Sequence, residues 1–171
     1  REPTPSEQMR LTELKISDSI RSKWPYEQGL IDDDVHVRTA ALLAAVWSRQ
    51  PWVLSQCRVV ADLPNEQQLS ELLLLAILGD ETDVSTFQEL ANSDRLAAPR
   101  LRYLGIFGHP GIVPSLLESM HSEDAETAHF AGRAFRQITG VDINSPRTET
   151  ITDADGGSKE LVLPDADVAV A

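Results

Sequence analysis

The stretch "YLGIFGHPGIVPSLLESM", Tyr103 to Met120, decides how the chain is built. Apolar residues recur on a helical period on both sides of Gly108, yet glycines and prolines interrupt what would otherwise read as one helix. Gly108 can take the positive φ that closes a helix, and Pro110 falls where a new helix begins and its amides are unpaired anyway. Pro114 still lies in the first turn if that helix starts near Gly111, so its missing N–H removes no intrahelical bond. The stretch therefore reads as a seam between two helical hairpins.

Working outward, the helix before the seam recurs. "ELLLLAILG" ending at Gly79, "RLRYLGIFG" ending at Gly108 and "RAFRQITG" ending at Gly140 each stop on glycine, at offsets of 29 and 32 residues. "VRTAALLAAVW", Val37 to Trp47, joins the series 32 residues upstream of the first, with Trp47 in the glycine's place. Shorter apolar helices begin at Pro51, Val84 and Ile112, and Leu11 to Trp24 supplies a partner for the earliest unit. Asp80, Glu81 and Asp83, then Asp94, then Glu123 and Asp124, and the triplet Asp32, Asp33 and Asp34 all stand before helices, where carboxylates cap and offset the helix dipole.

A chain of 171 residues is long enough for one core without staples. Cys57 is its single cysteine, which leaves no internal disulfide and sets the expectation of a reducing, cytoplasmic setting. The longest apolar run, Leu72 to Leu78, falls far short of the roughly 20 residues a membrane helix needs, and no basic-then-apolar secretory pattern opens the sequence. With 27 acids against 15 bases the net charge is −12, which repels phosphate backbones and argues against nucleic acid as a partner. After Gly140 the helical period ends. Residues 141–171 carry 7 acids and 2 bases, and "TIT" and "LVL" flank an Asp-Gly-Gly turn signal. A small β-hairpin and an extended acidic tail both fit.

No local pattern points to catalysis. His36, His109, His121 and His129 never recur at i+3 or i+4, so no metal site is expected. Neither a Gly-x-Ser-x-Gly elbow nor a glycine-rich phosphate loop occurs, and "DADGGSKE" from Asp153 lacks the spacing of a calcium loop. No cofactor is expected. Of Trp24, Trp47 and Trp52, the last straddles a turn and could anchor an interface, although core packing accounts for all three. Arg38, Arg100, Arg102, Arg133 and Arg136 lie on the recurring helices. Asp34 is placed to pair with Arg38, whereas Arg102 and Arg136 have no evident acidic partner in sequence.

The unit of about 30 residues, with Asp34, Val37 and Arg38 opening a helix filled by small residues and leucine, resembles HEAT-like repeats of the short, phycobilisome-lyase-type variety. "GHPGIVPSLLESM" with "DAETAHFAGRAFRQITGVDI" is also similar to a family of bacterial HEAT-like proteins encoded beside type VI secretion genes. The resemblance implies an all-α solenoid of about four helical hairpins over residues 1–140, the first degenerate, followed by a non-repeat acidic tail at 141–171. It implies a non-enzymatic protein-interaction module: an adaptor, scaffold or chaperone-like holder that binds protein, not nucleic acid or membrane. Trp52, Arg102, Arg136 and His129 are the expected binding residues, and Asp34, Arg38, Gly79, Gly108, Pro110 and Gly140 the structural ones. An immunity-type inhibitor of a basic toxin is the alternative, with a bilin lyase-like protein or a HEAT-like glycosylase behind it.

Overall fold

A computed structural model describes residues 8–10, 26–61, 68–93, 95–152 and 156–170. The partner helix expected over residues 11–24, including Trp24, and Asp94 lie outside the described residues. By internal contacts the chain divides into two units, residues 1–60 and 61–171.

In the first unit, α1 (Tyr26–Leu30) packs on α2 (Val35–Trp47), and α3 (Val53–Ala61) follows after the turn at residues 48–52. Val37 and Ala41, one turn apart on α2, form a small core with Leu30 and Ala40 against them. The acidic triplet before α2 divides its work. Asp34 caps the helix by accepting from the His36 amide at 2.8 Å. Asp32 takes the Arg10 guanidinium at 2.7 Å and the Asp34 amide at 2.9 Å. Arg38 does not pair with Asp34; its Nη1 donates to the carbonyls of Asp32 and Asp33 at 2.8 and 3.0 Å, fastening the loop by its backbone. The expected carboxylate–guanidinium ladder is thus a guanidinium clamp on carbonyls.

In the second unit α4 (Leu69–Leu78), α6 (Arg100–Phe107) and α8 (Ala125–Thr139) pack in a row. The shorter α5 (Val84–Ala91) and α7 (Val113–Met120) pack beside α6 and α8, and on each other. Leu72, Leu75, Phe87, Leu101, Leu104, Ile112 and Leu116 are fully buried and make the core. No single amphipathic helix could hide this apolar surface alone, and side-by-side packing covers it.

The seam at Gly108 has the chemistry its residues dictate. Gly108 closes α6 at φ 69°. His109 then caps a 3-10 turn, its Nδ1 accepting from the Gly111 amide at 3.0 Å, with Pro110 as the first residue of that turn and Pro114 near the start of α7. Gly140 ends α8 at φ 75° in the same way. Gly79 ends α4 differently. Its φ of −64° is open to any residue, but a Cβ there would fall 2.5 Å from the Leu75 carbonyl oxygen and 2.9 Å from Asp83 Oδ2. The glycine makes room for the capping box in which the buried Asp83 carboxylate accepts from the Asp80 amide at 2.9 Å.

Asp124 caps α8, accepting from the Thr127 amide at 3.0 Å. The Thr127 hydroxyl, chiefly, then the backbone amides of Thr127 and Glu126 and the Arg100 charge hold the Asp124 carboxyl below its usual value, against the opposing effect of partial burial. A lowered folded-state value means that the cap contributes in full above the unfolded carboxylate range and fades as pH falls through the folded value. Asp124→Ala is expected to cost about 1 kcal/mol at pH 7 and progressively less at acid pH. Urea midpoints of both proteins at pH 7 and pH 3 check this, since the gap should narrow on acidification.

The expected all-α class is overturned beyond Gly140. β1 (Asn144–Thr152) pairs antiparallel with β2 (Ser158–Pro164), with Thr152 opposite Ser158, Glu149 opposite Leu161 and an irregularity between Asn144 and Thr148. A short helix, α9 (Ala166–Val170), follows. The protein is therefore a helical array joined to a β-hairpin and not a pure solenoid. The reason is local: β-branched Thr148, Thr150, Ile151 and Val162 favour strands, and Gly156 supplies φ 79° just ahead of β2. The tail is not left extended because β2 packs on α8, burying Leu161 completely. Pro164 lies so close to Gly132 that a Cβ on the glycine would sit 2.7 Å from the proline Cβ. The Ser145 hydroxyl donates to the Leu163 carbonyl at 2.8 Å, and the Asp165 amide donates to the Ile143 carbonyl at 2.7 Å.

Candidate functional site

α6 and α8 approach closely because their touching residues are small. A Cβ on Gly105 would meet the Ala134 Cα at 3.1 Å and its Cβ at 3.2 Å. At that contact lies a groove of about 410 Å³ lined by Arg102, Ile106, Phe130, Arg133, Ala134 and Gln137. Arg102 and Ile106 stand four residues apart on α6; Phe130, Arg133, Ala134 and Gln137 follow i, i+3, i+4, i+7 on α8, so each set occupies one helix face.

The groove has an apolar floor and cationic banks. Ile106 and Phe130 are half-buried and Ala134 is buried, while Arg102 and Arg133 are exposed. Among the described residues neither arginine has a carboxylate partner, although the chain carries 27 acids. The hairpin adds a third cation: Lys159 Nζ lies 5.9 Å from the centre of the Phe130 ring, within range of a cation–π attraction. Gln137 brings an amide to the α8 bank, its Oε1 standing 3.0 Å from where a Gly105 Cβ would be. Beside the groove, burial raises the Tyr103 phenol above its ordinary value, and the Arg102 charge pulls it partly back.

The residues expected from sequence separate. Arg102 lines the groove. Arg136 does not; its Nη1 stands 3.8 Å from Asp142 Oδ2, both side chains well exposed, an ion pair of little strength in water. His129 is structural, its Nδ1 lying 2.8 Å from the Val162 carbonyl and tying α8 to β2. Trp52 is half-buried, with its ring centre 6.5 Å from that of Tyr26. Of the two described tryptophans the exposed one is Trp47, at 79%, which stands where the sequence series has a glycine. Arg133 shares the recurring helices with Arg102 but had nothing to single it out, and Phe130 and Lys159 meet only through tertiary packing. The readable signal was the i, i+3, i+7 series of Phe130, Arg133 and Gln137.

A second, smaller groove of about 300 Å³ lies between the end of α7, the start of α8 and the hairpin. Its rim mixes Arg147 with Glu123, Glu149, Asp165 and Asp167, so it presents no single sign of charge. Among the described residues no group of three His, Cys, Asp or Glu side chains could hold a metal ion, and no helix is long and apolar enough to cross a membrane. Comparison with family models, curated proteins and solved structures gives no match to this chain.

Proposed function

We propose that the chain is a non-enzymatic protein-interaction module, of adaptor or scaffold type, that binds an acidic segment of a partner protein in the groove between α6 and α8. One observation carries this reading: two exposed arginines that have no carboxylate partner among the described residues flank an apolar floor in a protein of net charge −12. In so acidic a chain, cations left unneutralised on both sides of an apolar strip are suited to a ligand that brings its own carboxylates. Kinship with HEAT-like repeat proteins belongs to the same proposal, supported by the row of α4, α6 and α8. A basic toxin would be repelled by this groove and would have to meet the acidic surface elsewhere. Nothing in the groove supplies a nucleophile beside a base, which disfavours catalysis there.

The test is fluorescence anisotropy of the full chain with a labelled peptide carrying glutamates around one phenylalanine, against a lysine counterpart. Two charge-assisted hydrogen bonds, each worth about 1.5–3 kcal/mol, set the scale. Arg102→Glu with Arg133→Glu is expected to weaken the acidic peptide at least ~100-fold without altering the circular dichroism spectrum. Equal affinity for the two peptides, or an unchanged affinity in the double variant, would overturn the proposal.

A further inference from the structure

The placement of cations on two different helices bears on the shape of the bound segment. We infer that it takes an extended acidic segment in which one aromatic or large aliphatic side chain is flanked, two residues away on each side, by a carboxylate: acidic–x–apolar–x–acidic. This rests on the proposed reading of the groove and adds the order of its ligand's residues.

The cations stand on two helices. Arg102 belongs to α6, and Arg133, joined by Lys159 over the Phe130 ring, belongs to the α8 side. Packed helix axes lie about 8–10 Å apart, and exposed arginines reach outward from that. In an extended chain, residues i, i+2 and i+4 share one face and span about 13 Å. Such a segment crossing the groove sets its middle side chain on Ile106, Phe130 and Ala134 while its outer carboxylates meet Arg102 on one bank and Arg133 with Lys159 on the other. Gln137 offers an amide that can both donate to and accept from the segment's backbone.

A helical ligand fits worse. An α-helix is about 10–12 Å across, wider than the roughly 8–10 Å that ordinarily separates packed helix axes. The close approach of Gly105 to Ala134 holds α6 and α8 near each other, which leaves little width between the banks for a helix. Carboxylates on residues adjacent to the apolar one would point to the opposite face of an extended segment, away from both banks.

Two labelled peptide isomers isolate this ordering at constant composition and charge: Gly-Glu-Ser-Phe-Ser-Glu-Gly and Gly-Ser-Glu-Phe-Glu-Ser-Gly. Anisotropy with the full chain is expected to show the first binding at least ~10-fold more tightly, and Arg102→Ala to shrink the preference to within about twofold. Arg102 is exposed, so that variant leaves the core untouched. Equal binding of the isomers, each weakened by Arg102→Glu with Arg133→Glu, would overturn the ordering while the proposed function stood. Tighter binding of the second isomer overturns the ordering as well. Absence of binding by both would overturn the groove reading and the ordering together.

Discussion

Phe87→Ala is expected to destabilise the protein by about 3–5 kcal/mol, the range for emptying a buried aromatic site. The ring is fully buried and stacks on Phe107, 4.2 Å between centres at 18°, and Phe107 in turn lies 5.8 Å from the His109 ring. Phe87 comes from α5 and Phe107 from α6, so the stack joins two helices at the position where α6 ends. Truncation removes the transfer free energy of the side chain, opens a cavity and ends an aromatic contact worth about 0.5–1.5 kcal/mol in itself. Against a total stability of about 5–15 kcal/mol for an ordinary domain, this is a large loss, and Phe87 is the largest fully buried side chain among the described residues. Urea unfolding followed at 222 nm measures it. A loss below about 1 kcal/mol would mean that the α5–α6 pair is not held by this stack.

Gly132→Val is the second large effect, and it acts on the hairpin. Glycine inside a helix is ordinarily a weakness, and valine there gains a few tenths of a kcal/mol, about 0.4, in helix propensity. That gain is outweighed at this position. A Cβ would fall 2.7 Å from the Pro164 Cβ and 3.2 Å from its Cγ, and a proline ring is not a flexible tail that can swing aside. Overpacking of this kind costs about 1–3 kcal/mol, and valine's branches place it at the upper end. The expected result is a hairpin lifted from α8, with Leu161 uncovered and the contact of His129 with the Val162 carbonyl lost. Amide exchange should quicken across β1 and β2 while α4 to α7 keep their protection. Unchanged exchange in the hairpin would show that α8 and β2 can separate enough to admit the side chain without parting.

The helices were legible because the signals that make them are local. Glycine at the ends of α6 and α8, Pro110 and Pro114 in first turns, and Asp34 and Asp124 before helices act over a few residues, and sequence displays them directly. The hairpin was only half legible. Its strands alternate weakly, with nearly all of β1 exposed, and what holds β2 down is Gly132 and His129 on a helix far upstream in sequence. The groove was legible in one residue, Arg102. Its other bank depends on Gly105 meeting Ala134, a long-range contact between small residues that no period marks. Arg136 looked equivalent to Arg102 because Asp142 lies beyond the helix end, where the repeat pattern no longer instructs.

Helices laid in a row resemble a one-dimensional crystal: whichever flank stays sticky invites another layer, from the same chain or from a neighbouring molecule. On α8 the β-hairpin covers part of the helix surface, and β1 is itself almost wholly exposed. The two strands thus cover one side of α8 with a surface that offers a further helix little apolar area to pack on.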